Sequence, residues 1–364
     1  MTKIHQILSQ SLTPREISFI VGIPLFFFIV LEILLRQFGF PHRHLKLGVV
    51  DAEMGWIMNP PSQTFSPPTG KPDLIFVGDQ LVYEDAFNPR HFIQLLQKDY
   101  HRKILTLAGN GYGTDQELIQ LDNLKQELPH SALVVLNFNL FDDFIDNQSR
   151  NFSHTGFPPK PFFELNGKQL MIKKGHVSDN LFYFWALILQ DHCATYDFLK
   201  TVLRGLHVIT DKHLQLAPQQ TDLKTPPPSP EQVAAYLTRV QQSFPITGRL
   251  LKEMNQLVEK SLRSKLIILV HPHGYREKDT DVFEMDPSIQ KFFKDLKLKV
   301  YDLGCLAKKK SFLYQDYALD RTGLLRKEGH LGFTIFLDEL IQGKVSHPEC
   351  FFNYEKKENI FVVP

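Results

Sequence analysis

Cysteine is scarce in this chain. Its three residues, Cys193, Cys305 and Cys350, are scattered and odd in number. They exclude a disulfide framework and a cysteine-built metal site; a single disulfide stays open, so cysteine usage alone leaves the compartment undecided. An excess of charge of one sign is also missing. With 41 Lys and Arg against 40 Asp and Glu the net charge is +1, which removes the electrostatic footprint that a nucleic-acid partner requires. Internal repeats are absent, which argues against a solenoid or propeller. What remains is a 364-residue chain, 43% hydrophobic and 22% charged, suited to one large domain with accessories and a sizeable core.

The first accessory lies near the N-terminus. Ile17 to Leu35 reads ISFIVGIPLFFFIVLEILL and carries one charge, Glu32. As a helix this run is roughly 28 Å long, close to the hydrocarbon thickness of a bilayer. Thr13-Pro14-Arg15-Glu16 ahead of it supplies a capping-box pair with proline at the first helical position. The run is long for a signal peptide, and no small-x-small cleavage site follows in RQFGFPHRH. The expectation is a single-pass anchor over 17–39 behind a short segment 1–16, with the lipid bilayer as a partner. Lys3 and Arg15 on one side face Arg36, Arg43 and Lys46 on the other, so flanking charge leaves its orientation open.

Residues 40–70 are rich in proline, glycine and aromatics, and read as an extended linker packing on the domain. Short aliphatic runs follow at Leu74–Val77, Ile104–Leu107, Leu133–Phe138, Leu266–Val270 and Val300–Leu303, with helical patterns between them. Runs of this kind suit parallel strands covered on both faces. The expected architecture over 71–345 is therefore α/β, a three-layer α/β/α sandwich with about five parallel strands. An insertion at about 150–230 opens with PFFELNGKQLMIKKG, where Asn166-Gly167 signals a hairpin. A strongly apolar helix over about Leu181–Leu203 and the stiff connector TPPPSP follow. Glu231 to Lys265 reads as a helix interrupted near Pro245, and 346–364 as a C-terminal tail.

In open parallel sheets ligands bind at the carboxyl ends of the strands. Those ends carry Gly78-Asp79-Gln80, then AGNGYGTDQ, then NFNLFDDFIDN, then HPHGYREK, and finally LLRKEGHLGF. In this order the pieces resemble the SGNH (GDSL-type) hydrolase superfamily of esterases, lipases and acyltransferases, over roughly residues 50–345. GNGYGTDQEL carries most of the likeness, with Gly55-Trp56 upstream and DDFIDN standing against the family's NDxxDN. The resemblance implies a flavodoxin-like sandwich, a Ser-His-Asp triad, and an oxyanion hole built from the serine N–H, a glycine N–H and an asparagine. It also implies a domain outside the cytoplasmic membrane.

Carried onto this chain, the catalytic set is degenerate. The nucleophile position is Gln80, whose amide cannot take an acyl group reversibly. The oxyanion glycine is Gly111, which is retained. The asparagine falls on Asp142, followed by Asp143, Asp146 and Asn147; a carboxylate there is a poor donor to a developing negative charge. The histidine falls on Leu324, with its aspartate near Asp320 or Arg321, or on His330, with Lys327 three residues earlier. Neither alignment keeps an Asp-x-x-His pair. Asp79 is read as a backbone-bonding residue, and Asp79, Gln80, Gly111, Tyr112, Asp142, Asp143 and His330 form the expected cleft. Asp142, Asp143 and Asp146 are read as a solvated or backbone-bonding cluster, and His271, His273 and His330 as structural or loop histidines, so neither a metal nor a cofactor is expected. The expectation is a non-catalytic binding, scaffold or assembly subunit at the cell envelope, with other membrane or envelope proteins as partners. The alternative is an esterase or O-acyltransferase acting on acyl esters of envelope glycans or lipids through a rearranged site.

Overall fold

The computed structural model describes residues 14–37, 49–51, 55–57, 71–83, 91–109, 112–130, 132–140, 143–148, 160–167, 169–173, 195, 229–272, 285–310, 327–344 and 347–353. Among them, the side chains of 14–18, 20, 21, 49–51, 55–57, 80 and 83 fall outside the description. The chain opens with helix α1 (Pro14–Gln37) and a small antiparallel pair, β1 (Val49–Asp51) and β2 (Gly55–Ile57). Then come β3 (Leu74–Gly78), α2 (Gln80–Tyr83), α3 (Phe92–Asp99), β4 (Ile104–Ala108), α4 (Thr114–Leu124), β5 (Leu133–Asn139) and α5 (Asp143–Asp146). The hairpin β6 (Phe162–Asn166) and β7 (Gln169–Lys173) precedes α6 (Pro230–Ser261) and β8 (Leu266–His271). The last elements are α7 (Pro287–Leu296), β9 (Val300–Asp302), α8 (Leu303–Lys309), α9 (Lys327–Ile341) and β10 (Phe351–Phe352).

Six strands form one sheet in the order β10-β9-β8-β5-β3-β4, parallel except for β10. Counting the parallel strands in chain order gives 2-1-3-4-5, one of the two common doubly wound orders. The five aliphatic runs are these five strands. Each alternates its side chains between two buried layers, because successive residues of a strand point to opposite faces. Phe76, Val135 and Leu269 face one layer with Phe92, Phe333 and Phe336 of α3 and α9. Val77, Leu136 and Ile268 face the other with Leu121, Leu251 and Phe293 of α4, α6 and α7. Each fully buried aliphatic or aromatic side chain contributes roughly 1.5–3 kcal/mol relative to exposure, so both faces of the sheet are driven together by the same term.

Three local readings are corrected by the structure. Val300–Leu303 is a strand only to Asp302, whose buried carboxylate accepts from the Gly304 and Cys305 amides and starts α8 at Leu303. Helix α6 runs unbroken through Pro245. Proline removes one amide donor, but Gln241, whose carbonyl loses that partner, is exposed and can use water. The helix is also firmly started, with Pro230 in its first turn and a reciprocal Ser229–Gln232 capping box. Residues read as a C-terminal tail partly join the sheet, as Phe351 and Phe352 pair with Tyr301 and Val300. The hairpin is as expected, with Gly167 at φ +60 in the left-handed region its turn requires.

Helix α1 spans 24 residues and leaves Phe19, Phe26 and Phe27 more than 60% exposed. Among the described residues no helix is long and apolar enough to cross a membrane. Seven side chains of α1 are outside that set, so the count does not run over the whole apolar stretch. The one charge in the run is compensated. Glu32 pairs with Arg36 at 2.7 Å and accepts from the buried Thr195 amide at 2.7 Å. The rest of the apolar segment expected over 181–203 lies outside the described residues.

Cys305 and Cys350 form a disulfide across 45 residues of sequence. It ties α8 to the turn that delivers β10. Chain-entropy arguments give a loop of this length about 4 kcal/mol of stabilisation, and removing a native bond typically costs about 2–5 kcal/mol. Cys350→Ser is therefore expected to lower unfolding stability by about 2–4 kcal/mol in urea titrations. Equal stability of variant and wild type would mean that the bond does not form in the folded protein.

Candidate functional site

The carboxyl ends of β3, β4 and β5 converge on Asp79. This aspartate follows β3 directly and is 1% exposed. One of its oxygens accepts from the Leu81 amide at 3.1 Å and from Asn137 Nδ2 at 3.2 Å; the other accepts from Asn139 Nδ2 at 3.2 Å. Burial pushes its pKa above the usual carboxylate value, against the pull of these hydrogen bonds. Gly78 is required where it stands, since a Cβ there would lie 2.6 Å from Val82 Cγ2 and 2.8 Å from Asn137 Cβ. The Gly109 amide reaches across to the Gly78 carbonyl at 3.3 Å, and the Tyr112 amide closes the second turn on Gly109 at 3.1 Å. Tyr112 is buried beside them.

A second polar cluster lies where α4 begins. A Cβ on Gly113 would meet Asp115 Oδ1 at 3.0 Å, Asp146 Cβ at 3.1 Å and Asn147 Oδ1 at 3.2 Å. Glycine thus lets the GYGTDQ turn and the DDFIDN block touch. Asn147 Oδ1 accepts from the Asp115 amide at 3.2 Å, and its Nδ2 donates to Thr247 Oγ1 on α6 at 3.2 Å. Asp143 accepts from the Asn139 amide at 2.7 Å. Lys160, at the root of the hairpin, is fully buried and donates to both Asp115 oxygens at 2.7 and 2.8 Å. Asp146 is fully buried, and neither of its oxygens has a hydrogen-bond partner among the described residues. Its pKa is pushed up to about 7, chiefly by burial and further by Asp115 and Asp79, against the pull of Lys160 and Arg239.

A third cluster is made of histidines. His91 caps α3, accepting from the Ile93 amide through Nδ1 at 3.3 Å, and its Nε2 lies 2.6 Å from the Leu81 carbonyl. The His330 ring stands 4.8 Å from that of His91, and His271 packs edge-on against Phe333 at 5.2 Å. All three are almost wholly buried. Their pKa values are pushed down to about 3, 3 and 4 for His91, His271 and His330, mainly by desolvation. His330 Nδ1 and both His271 ring nitrogens have no hydrogen-bond partner among the described residues.

Of the residues expected to line a cleft, Asp79 follows β3, Tyr112 follows β4, Asp143 begins α5 and His330 lies in the first turn of α9. Gln80 is the first residue of α2, immediately after Asp79; its side chain lies outside the described residues, as do Gly111, Asp142, Leu324, Asp320, Arg321 and His273. His330 reaches the turn indirectly, through His91 and the Leu81 carbonyl. Among the described residues no group of three or more metal-binding side chains occurs. Sequence reasoning left Asn137, Asn139, His91 and Lys160 without a role. The asparagines carried a signal, being two polar residues at strand period in an otherwise aliphatic run, hence on one face. His91 and Lys160 carried none, since their partners are distant in sequence. No protein-family model and no curated protein matches this chain.

Two outcomes follow from the buried charges. Lys160→Met strands Asp115 and is expected to cost about 3–5 kcal/mol of stability. Adding Asp115→Asn should recover part of that loss; a double variant as unstable as the sum of both singles would deny the pairing. For Asp146, a folded pKa raised from 3.8 to about 7 means stability present at low pH and lost as pH rises through about 7. Asp146→Asn removes that loss. Its advantage over wild type in thermal unfolding should grow between about pH 4 and pH 8, on the order of 2–4 kcal/mol at the upper end.

Proposed function

We propose that this chain is a membrane-anchored, SGNH-hydrolase-like protein with a flavodoxin-like sandwich, acting as a non-catalytic binding, scaffold or assembly subunit at the cell envelope. The observation that carries the reading is the turn after β3. It holds Gly-Asp in the position and setting of a nucleophile turn and then presents Gln80. Asp79 cannot stand in as nucleophile, because both of its oxygens are held by three donors. His330, on which one alignment of the family histidine falls, has Lys327 where the family keeps its aspartate, and among the described residues its Nδ1 has no partner to orient the ring as a base. With Gln80, Asp142 and an incomplete Asp-x-x-His pair, acyl transfer lacks nucleophile, oxyanion donor and oriented base together.

The placement at the envelope rests on two features. Ile17–Leu35 has the length and composition of a membrane span and is the anchor in this reading. The Cys305–Cys350 bond favours an oxidising compartment, so the domain lies on the extracytoplasmic side. Its partners in this reading are other membrane or envelope proteins.

A second reading is favoured by Asp146. A buried carboxylate held near neutrality is the kind of group that serves as a general base. In this reading the chain is an esterase or O-acyltransferase for acyl esters of envelope glycans or lipids, with water activated by that carboxylate.

One assay separates the readings. The purified chain, incubated with an activated acetyl ester and with a fluorophosphonate probe, should show neither turnover nor a covalent adduct. Gln80→Ser alone should not confer activity, because the oriented base is still missing. A specific adduct, or turnover abolished by Asp146→Asn, would reverse the assignment.

A further inference from the structure

Three imidazoles from three separate elements meet at the carboxyl edge of the sheet. His91 precedes α3, His271 ends β8, and His330 lies in the first turn of α9. His91 is chemically saturated as a neutral ring. Its Nε2–H donates to the Leu81 carbonyl at 2.6 Å, and its Nδ1 lone pair takes the Ile93 amide at 3.3 Å. A second proton can enter only at Nδ1, and entry there breaks the cap of α3. His330 stands 4.8 Å from it, so charging both buried rings places like charges against each other. The surrounding walls are Phe92 and Phe333, which meet at 4.5 Å.

Among the described residues, charged groups on the packed elements do not relieve this. Asp79, beyond Leu81, has both oxygens occupied, and Asp143 is bonded to the Asn139 amide. Asp302 caps α8. Lys98 and Asp99 stand in the last turn of α3. On α9, Lys327 and Glu328 are exposed, and Asp338 is held by Arg102 at 2.7 Å; Glu339 follows it in the chain. None of these carboxylates is hydrogen-bonded to His271 or His330. Across the α3–α9 seam Thr334 Oγ1 donates to the Phe92 carbonyl over a long 3.5 Å.

We propose that the cluster of His91, His271 and His330 is an acid-released latch, closed when the rings are neutral, which clamps α9 onto α3 and holds the Leu81 carbonyl beside Gln80. On protonation the α3 cap is lost and the neighbouring rings repel, so that α9 parts from α3, opening the cleft edge without disturbing the sheet. The low proton affinity of all three rings agrees with this, since each takes up its proton at a cost to the closed form. The device is independent of whether the cleft binds or catalyses.

Hydrogen exchange followed by mass spectrometry on the full chain in detergent tests it, with rates corrected for the intrinsic effect of pH. Between about pH 7.5 and pH 5, peptides covering 91–99 and 327–341 should lose about tenfold or more of their protection, reversibly, while β3 and β5 keep theirs. Unchanged protection, or loss spread over all strands together, would overturn the proposal. The variant His271→Leu with His330→Phe keeps bulk and removes two titrating rings, leaving His91 alone, and its loss of protection over this range should be several-fold smaller than that of the wild type. An acid response as large as that of the wild type in this variant would equally overturn the proposal. Should the variant not fold, the contrast between local and global loss in the wild-type chain still decides.

Discussion

The carboxylate of Asp79 is the constraint on which the strand ends depend. It sits at the carboxyl end of β3, buried, and takes donors from its own turn and from two asparagines of the neighbouring strand. A buried carboxylate with fewer donors would be neutralised or expelled. With three, it fixes how far β3 extends, turns the chain into α2 at Gln80, and sets Asn137 and Asn139 toward the turn. The Asn139 amide is in turn fixed by Asp143, which begins α5. The polar edge of the sheet is therefore a connected network, and its members are positioned by one another more than by solvent.

Much of the scaffold was legible in the sequence because one physical rule governs it. A strand buried on both faces must be aliphatic throughout, and five such runs became the five parallel strands. What escaped was decided by contacts that no local pattern encodes. The shift of Leu303 from strand to helix turns on the Asp302 carboxylate capping two amides. The unbroken course of α6 past Pro245 depends on Gln241 facing water. Strand β10 is two residues long, too short to carry a period, and it exists because the neighbouring cysteine is bonded to α8.

The candidate site divides in the same way. Asp79 and its glycine were visible as a turn between a strand and a helix. Gly113 and the DDFIDN block were visible as motifs, though their mutual contact was not. Lys160 illustrates the limit: its ammonium neutralises Asp115 across 45 residues, and in sequence it is one lysine before a proline. The two buried clusters differ in character. Around Asp115 charge is matched by charge, whereas around His91 and His330 burial disfavours the charged rings.

The pinned strand at the far edge has a consequence for how the sheet comes into being. As a chain emerges from its N-terminal end, β3, β4, β5, β8 and β9 can pair before Cys350 has appeared. Until then β9 is an open border, with unpaired amides and carbonyls available to any other extended segment. Phe351 and Phe352 close that border, and the Cys305–Cys350 bond holds them there once both sulfurs are oxidised. The bond is in that sense a fastener for a finished edge: the interval before it forms is when neighbouring nascent chains have their best opportunity to pair wrongly.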